Sequence, residues 1–108
     1  MGICNIMRLL VFFDLPVKTK SERSQATHFR KFLIDDGYYM IQFSLYGRIC
    51  ATIENAKAHE EKLKFHLPVS GSIRTLLITE KQYSNINILL GKAKKKDKKV
   101  LEGQISFF

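Results

Sequence analysis

Long apolar segments are missing from this sequence of 108 residues. A membrane-spanning helix needs about 18 or more consecutive apolar residues, and the longest run, residues 9–13, stops at Asp14. We therefore do not expect the chain to enter a membrane.

Cysteine is scarce as well, with only Cys4 and Cys50. Two thiols are too few for a disulfide scaffold, and neither belongs to a C-x-x-C pair or has a histidine at metal-ligand spacing. We therefore expect reduced thiols in a cytoplasmic protein.

Acidic residues are outnumbered by basic ones. Lys and Arg total 18 against 10 Asp and Glu, which leaves a net charge of +8 on a short chain. A polyanion is then the first partner to consider, and nucleic acid comes ahead of an anionic membrane.

Length and apolar content together predict one compact domain. A hydrophobic fraction of 45% is enough for a single core, but 108 residues leave little interior for a deep pocket. A functional site completed by a second subunit is therefore one of the possibilities to test.

The apolar periodicity predicts alternating strands and helices. Thr19 and Glu22 have the spacing of a capping box at the start of the first helix. The aromatic and β-branched segment after that helix is long enough for two strands, which we expect to break near Gln42 or Phe43. The predicted strands cover residues 7–14, 38–53 (as two strands), 72–82 and 83–90, and the predicted helices cover about 20–36 and 53–67.

This order predicts an α+β fold of the ferredoxin-like βαββαβ type. Such a domain has an antiparallel sheet with two helices on one face, and here an extra C-terminal strand follows it. We expect an N-terminal extension in residues 1–6, the domain in 7–80, and in 81–108 a strand and basic tail that exchanges within a dimer or binds a partner. The tail has six lysines among residues 92–99 and cannot pack.

Some polar residues have no explanation in the sequence. Asp35 and Asp36 lie at the end of the first predicted helix, where the helix dipole disfavours acids by about 0.3–1 kcal/mol each. Three histidines have no partner at metal-ligand spacing, and we interpret them as surface or boundary residues. They are His28, His59 and His66.

Asp14 is the first candidate for chemistry, because it ends an apolar strand and precedes a proline turn. One interpretation is that Asp14 caps the turn at Leu15 and Pro16. The other is that it binds a metal. A magnesium ion usually takes one or two carboxylates, with waters and phosphate oxygens completing its shell. A two-fold dimer that brings two Asp14 side chains together would supply that pair for phosphodiester hydrolysis.

Three segments resemble one known family. The stretches "MRLLVFFDLP", "FRKFLIDDGYYMIQFSLYGRI" and "GSIRTLLITEKQY" are similar, in order and spacing, to the CRISPR-associated protein 2 family, and most of all to members from type II systems. The likeness covers about residues 7–90. It implies a ferredoxin-like homodimer, the small subunit of spacer acquisition, which bridges integrase subunits along duplex DNA. It also implies that Asp14 is the catalytic metal ligand for Mg²⁺, or Mn²⁺, of an endonuclease.

Basic residues recur every three or four positions on the first predicted helix. A solvated helix face is the ordinary explanation of such a stripe, but the net charge and the family likeness favour phosphate binding. Arg23 and Arg30 are the preferred contacts, because a guanidinium can hold two phosphate oxygens. The stripe consists of Lys20, Arg23, Thr27, Arg30 and Lys31.

Four further residues have two open interpretations each. Ser44 and Tyr46 match a Ser-x-aromatic of the family and could support Asp14 or a phosphate, although core packing explains Tyr46 equally well. Arg48 and Arg74 could contact phosphates or pair with acids such as Glu80.

Two classes of function remain. The first is a sequence-blind scaffold in CRISPR adaptation that binds duplex DNA by its phosphates and docks an integrase. The second is a magnesium-dependent endonuclease on DNA or RNA that uses the paired Asp14, and the two can coexist. A stand-alone metal-dependent endoribonuclease of similar fold is the alternative. An RNA-recognition module shares the element order, but the stacking motif of that module is absent here.

Overall fold

A computed structural model describes residues 6–91. The predicted extension in residues 1–6 and the lysine-rich tail therefore lie outside the described residues, apart from Ile6. The chain forms β1 (Met7–Asp14), α1 (Lys20–Asp35), β2 (Tyr39–Gln42), β3 (Leu45–Cys50), α2 (Ile53–Leu63), β4 (Ser72–Thr79) and α3 (Glu80–Ser84).

The four strands form one antiparallel sheet in the order β2-β3-β1-β4. With α1 and α2 inserted between strands, this confirms the ferredoxin-like α+β fold. The predicted break between the second and third strands is also confirmed, since β2 ends at Gln42 and β3 begins at Leu45. Helix α1 begins as predicted, because Thr19 and Glu22 form both hydrogen bonds of a capping box.

The core lies between the sheet and the two long helices. Successive strand residues point to opposite faces, so Leu9, Val11 and Phe13 of β1 face the helices and are buried. Phe13 meets Phe29 of α1 edge to face, with ring centroids 5.3 Å apart. Central strand β1 therefore carries its buried side chains right up to the residue before Asp14.

The second helix is shorter than the apolar pattern predicts. It ends at Leu63, and residues 64–66 form tighter bonds to the carbonyl three residues earlier. Pro68 follows, and the residues before a proline avoid helical backbone angles. Leu67, the last residue of the predicted helix, lies outside α2 and is half exposed.

The predicted extra strand in residues 83–90 is wrong for the single chain. Strand β4 ends at Thr79, which caps α3 through a capping box with Gln82. Residues 85–91 form no strand. Tyr83, the first residue of the predicted strand, is instead buried in α3.

None of the helices within residues 6–91 is long and apolar enough to cross a membrane.

Candidate nucleic-acid interface and metal ligand

Asp14 is the exposed last residue of β1. Its carboxylate makes no hydrogen bond or ion pair with another residue of the described chain. The turn-cap interpretation therefore finds no hydrogen bond to support it. A buried strand holds an acid at its end, and the acid's oxygens are available to an external ligand.

The residues around Asp14 lie on the sheet face opposite α1 and α2. Asp14 is directly across from Ser72 of β4, and Phe12, two residues earlier on the same face, is across from Arg74. Arg74 and Asp14 are thus diagonal neighbours, about 7–8 Å apart. Arg74 is exposed, and no hydrogen bond or ion pair of its side chain is found within residues 6–91. A carboxylate and a guanidinium accordingly lie side by side on an open surface.

A glycine packs against the backbone of Asp14. Gly71 has a φ of +110°, and a Cβ added there would lie 2.7 Å from the Asp14 carbonyl oxygen and 2.8 Å from Leu15 Cδ2. Only glycine tolerates both this backbone conformation and this close approach. The α2–β4 loop is therefore seated directly on the end of β1, which restrains the position of Asp14.

The donor set at Asp14 suits half of a magnesium site. Magnesium takes one or two carboxylates and completes its shell with water and phosphate oxygens, and Asp14 offers one unpaired carboxylate. Within residues 6–91 there is no group of three or more His, Cys, Asp or Glu that could hold a metal ion. A metal site at Asp14 would therefore need further oxygens from outside these residues, such as those of a second copy or a nucleic acid.

The two hydroxyl residues predicted to support Asp14 are placed differently. Ser44 is exposed, and its carbonyl accepts a hydrogen bond of 3.0 Å from Phe13 N, next to Asp14. Tyr46 is buried on the helix side, with its ring centroid 5.5 Å from that of Phe13. Tyr46 and Asp14 point to opposite faces, so the structure supports the packing interpretation for Tyr46.

The basic stripe lies on the surface of α1, and its side chains differ in the contacts they make with the rest of the chain. Arg23 donates from Nη1 to the carbonyls of Val17 and Lys18 in the loop after β1, at 3.2 and 3.0 Å. Lys31 pairs with Asp35 at 3.1 Å, and both side chains are largely exposed. Lys20 is exposed at the first position of the helix.

Arg30 is the half-buried member of the stripe and lies at the edge of the core. Its guanidinium carbon is 3.7 Å from the ring centroid of Phe43 and 5.3 Å from that of Phe13. Its Nε donates to the Phe43 carbonyl at 3.3 Å. These contacts join α1 to the β2–β3 turn. Phe43 itself was considered in the sequence only as a strand break, yet it is an exposed aromatic residue beside a cation.

Arg48 is turned inward. Its Nε donates to the Asp36 carbonyl at 2.7 Å, and its Nη1 donates to the Ile49 carbonyl at 3.1 Å. Burial raises the pKa of the neighbouring Cys50 thiol, although Arg48 opposes that shift. The structure thus gives Arg48 internal partners, and no phosphate contact is needed to explain it.

Asp36, unexplained in the sequence, anchors the C-terminal end of α1. Its carboxylate accepts from Lys62 Nζ and contacts His59 Nδ1, each at 2.8 Å. Burial alone would raise the pKa of Asp36, but the hydrogen bonds from Lys62 and His59 outweigh it and lower the pKa. The contacts from α2 explain an acid that the helix dipole disfavours. They also give His59 a role that the sequence did not reveal.

Of the two interpretations left open for Arg74, a pair with Glu80 is not found in the structure. Arg74 lies five residues before the end of β4 at Thr79, about 16 Å of extended chain, and Glu80 is the first residue of α3. Glu80 instead accepts from Arg8 Nε and Nη2, each at 2.9 Å. Arg8 is fully buried, and its guanidinium carbon lies 4.1 Å from the ring centroid of Tyr83. The signal that was missed is an arginine inside an apolar strand, which requires an acidic partner.

Known proteins are similar to this chain over most of its length. A family model described as CRISPR associated protein Cas2 matches residues 7–86. A CRISPR-associated endoribonuclease Cas2 from Acidovorax ebreus is 49% identical over 102 residues, which span 94% of this chain and 100% of the relative. One of the same description from Ligilactobacillus salivarius is 45% identical over 86 residues, 80% of this chain and 85% of the relative.

A solved structure shares the fold. The crystal structure of Streptococcus pyogenes Cas2 superposes with a TM-score of 0.59 and 22% sequence identity, covering 76% of this chain and 98% of that one.

Proposed function

This chain belongs to the CRISPR-associated protein Cas2 family, and we propose that it acts in spacer acquisition as a basic homodimer that binds nucleic acid and hydrolyses phosphodiesters at Asp14. In this proposal the dimer holds duplex DNA by its phosphates and bridges integrase subunits. The observation that carries the proposal is the unpaired Asp14 carboxylate on a rigid strand end, beside Arg74 on an open face of the sheet.

A second copy of the chain would complete the metal site. The sheet face opposite α1 and α2, which α3 covers only near Arg8, leaves Phe12, Ile49 and Leu76 partly exposed, and burying such apolar surface favours association. A two-fold interface uses the same patch on both copies, and a residue that lies on the axis meets its own copy there. Two Asp14 carboxylates at that axis would supply the two acidic ligands that a magnesium or manganese ion takes.

In this proposal the residues of the site have different roles. The two Asp14 carboxylates would hold the ion, which when bound supplies charge neutralisation for the phosphodiester and activation of the attacking water. Arg74 is placed to bind a phosphate oxygen beside Asp14, because a guanidinium forms charge-assisted hydrogen bonds with phosphate. Lys20, Arg23 and Arg30 would hold the adjoining backbone without reading its sequence.

Hydrolysis is tested with Asp14→Asn. We expect this variant to lose magnesium-dependent cleavage of duplex DNA or RNA, while duplex binding and thermal stability stay close to those of the unsubstituted protein. Asp35→Asn is the matched control, because Asp35 is also an exposed acid at the end of an element. Unchanged cleavage by Asp14→Asn would overturn the assignment.

Phosphate binding is tested by the salt dependence of affinity. If about five or six phosphates are neutralised, the logarithm of the binding constant falls with the logarithm of salt by about 0.9 for each phosphate. Arg23→Ala and Arg30→Ala should each reduce that slope by about one. Lys57→Ala, an exposed cation on α2, should leave it unchanged. If the salt dependence of binding has the same slope in the unsubstituted protein and in all three variants, the phosphates are not bound by α1.

A stand-alone metal-dependent endoribonuclease is the second candidate function. The relatives from Acidovorax ebreus and Ligilactobacillus salivarius are both named endoribonucleases. Cleavage of RNA but not DNA, without co-purification of an integrase subunit, would favour this alternative. Recovery of a stable complex with a neighbouring integrase, retained by Asp14→Asn, would favour the scaffold.

The C-terminal segment is proposed to help hold the dimer. Ile86, Ile88, Leu89 and Leu90 are exposed in the single chain, and adding such a segment to a partner's sheet edge would cover it. Truncation after Asn85 keeps α3 and removes this segment. Sedimentation should then show dissociation, whereas a stable truncated dimer would contradict the idea.

A further inference from the structure

Phe43 stands out among the exposed apolar side chains because a cation holds its ring in place. It lies in the β2–β3 turn and is 67% exposed. Exposed apolar residues are common on protein surfaces. Phe65 is 84% exposed and has no aromatic or cation–π contact within residues 6–91. Phe43 differs, because the Arg30 guanidinium lies 3.7 Å from its ring centroid and donates to its backbone carbonyl.

This contact orders the ring without burying it. A guanidinium that stacks on an aromatic face gains cation–π energy, and the hydrogen bond at 3.3 Å ties the same arginine to the backbone of the turn. Arg30 is itself held against Phe13 in the core. One face of the Phe43 ring is thus covered by Arg30, and most of its remaining surface is open to solvent. A fixed aromatic face loses little conformational entropy when it binds a flat ligand.

The ring lies at the same end of the sheet as Asp14. Ser44, which follows Phe43, accepts the hydrogen bond from Phe13 N, and Phe13 precedes Asp14. Because β1 and β3 are antiparallel, Phe43 and Asp14 each lie one residue beyond this hydrogen-bonded pair, in the same direction along the sheet. Phe43 lies on the helix side and Asp14 on the open side, with the end of β1 between them.

The surroundings indicate the ligand. A strand of nucleic acid crossing this end of the sheet would meet Arg30 and Arg23 with its phosphates and the Phe43 ring with a base. Every nucleobase has a flat π-face, so stacking on an aromatic side chain is tolerant of sequence. A base paired inside a duplex has both faces covered by its neighbours, whereas an unpaired base is free to stack.

We propose that Phe43, held by Arg30, is a stacking platform for an unpaired nucleobase of the strand bound at Asp14. The ligand is then nucleic acid with at least one unstacked base, as in a single strand, an overhang or a frayed end. This inference rests on the proposed nucleic-acid binding and deepens it, because it assigns the class of strand that the site accepts.

The chain has no tryptophan, so Phe43→Trp creates a single fluorescent reporter at the site. We expect a single-stranded oligonucleotide to quench this fluorescence, while an oligonucleotide of the same length with abasic residues binds without quenching. Phe65→Trp is the matched control and should not respond to either. Equal quenching by both oligonucleotides, or an equal response of Phe65→Trp, would overturn the proposal. Deoxy and ribo versions of the oligonucleotide show which sugar the site accepts.

Affinity gives an independent readout. Phe43→Leu should bind a single strand about 5- to 100-fold more weakly, the range expected from the loss of one base–aromatic stack, and Phe43→Tyr should restore binding. Affinity for a blunt duplex and the salt slope should not change. If Phe43→Leu keeps full affinity while Arg23→Ala still lowers the salt slope, the platform is refuted and phosphate binding stands. If no oligonucleotide binds the unsubstituted protein, both proposals fail.

Discussion

Glu80→Ala tests whether the buried ion pair between β1 and α3 holds the C-terminal helix on the sheet. Arg8 is 0% exposed, and its bidentate partner Glu80 has a side chain 18% exposed. Tyr39 accepts a further hydrogen bond from Arg8 Nη1, and the Tyr83 ring covers the guanidinium. Burial lowers the pKa of Arg8, but Glu80 and Tyr39 outweigh this effect and raise it, so the group stays charged. The substitution therefore leaves a buried cation without its counter-ion.

The structure sets the expected magnitude. Removing one partner of a buried ion pair costs about 3–5 kcal/mol, and we expect the lower end because Glu80 is partly exposed and Tyr39 and Tyr83 remain. Domains of this size have a free energy of unfolding of about 5–15 kcal/mol. A loss of about 3 kcal/mol should lower the Tm by about 12–24 °C.

Thermal and denaturant unfolding measure this loss directly. Asp35→Ala breaks the exposed Lys31–Asp35 pair and serves as the matched control, with an expected loss below about 0.5 kcal/mol. Replacing both Arg8 and Glu80 by methionine should recover most of the stability, because no unpaired charge is left. A loss for Glu80→Ala no larger than that of Asp35→Ala would refute the assignment of α3 to this anchor.

Three further predictions concern stability. Gly71→Ala should lower the free energy of unfolding by about 2–4 kcal/mol and weaken cleavage, because the added Cβ meets Asp14 O at 2.7 Å in a positive-φ conformation. Thermal unfolding of Gly91→Ala is the control, because Gly91 has a similar φ and open space around it. Asp36→Asn should lose about 1–2 kcal/mol at pH 7. The pKa of Asp36 is lowered from 3.8, so the stability that Asp36 contributes is complete above about pH 4 and disappears as pH falls through the pKa of the folded protein. Urea unfolding should therefore show the stabilities of Asp36→Asn and the unsubstituted protein converging in acid. A difference that stays constant with pH would contradict this. Tyr38→Phe should be neutral or stabilising by up to about 1 kcal/mol, because the buried Tyr38 hydroxyl has no hydrogen-bond partner within residues 6–91; calorimetry showing a large loss would reveal a partner.

The sequence was sufficient for the fold because local patterns and element order act together. The capping box at Thr19, the apolar run of β1 and the break after Gln42 are local signals, and all three are confirmed. The order of strands and helices then leaves few ways to cover one face of a sheet. The prediction failed where local signals compete. Residues 80–84 directly follow strand β4, but Thr79 and Gln82 form a capping box and begin helix α3 there.

What the sequence determined by itself is the ferredoxin-like fold, the cationic surface and the position of Asp14 at a strand end, because these depend on periodicity, charge and neighbours in the chain. Only the tertiary structure decided which side chains meet across long separations. Arg8 finds Glu80 72 residues away, and Arg30 reaches Phe43 from a different element. Such partners depend on strand register and on the packing of helices against the sheet, and neither can be read from one segment alone.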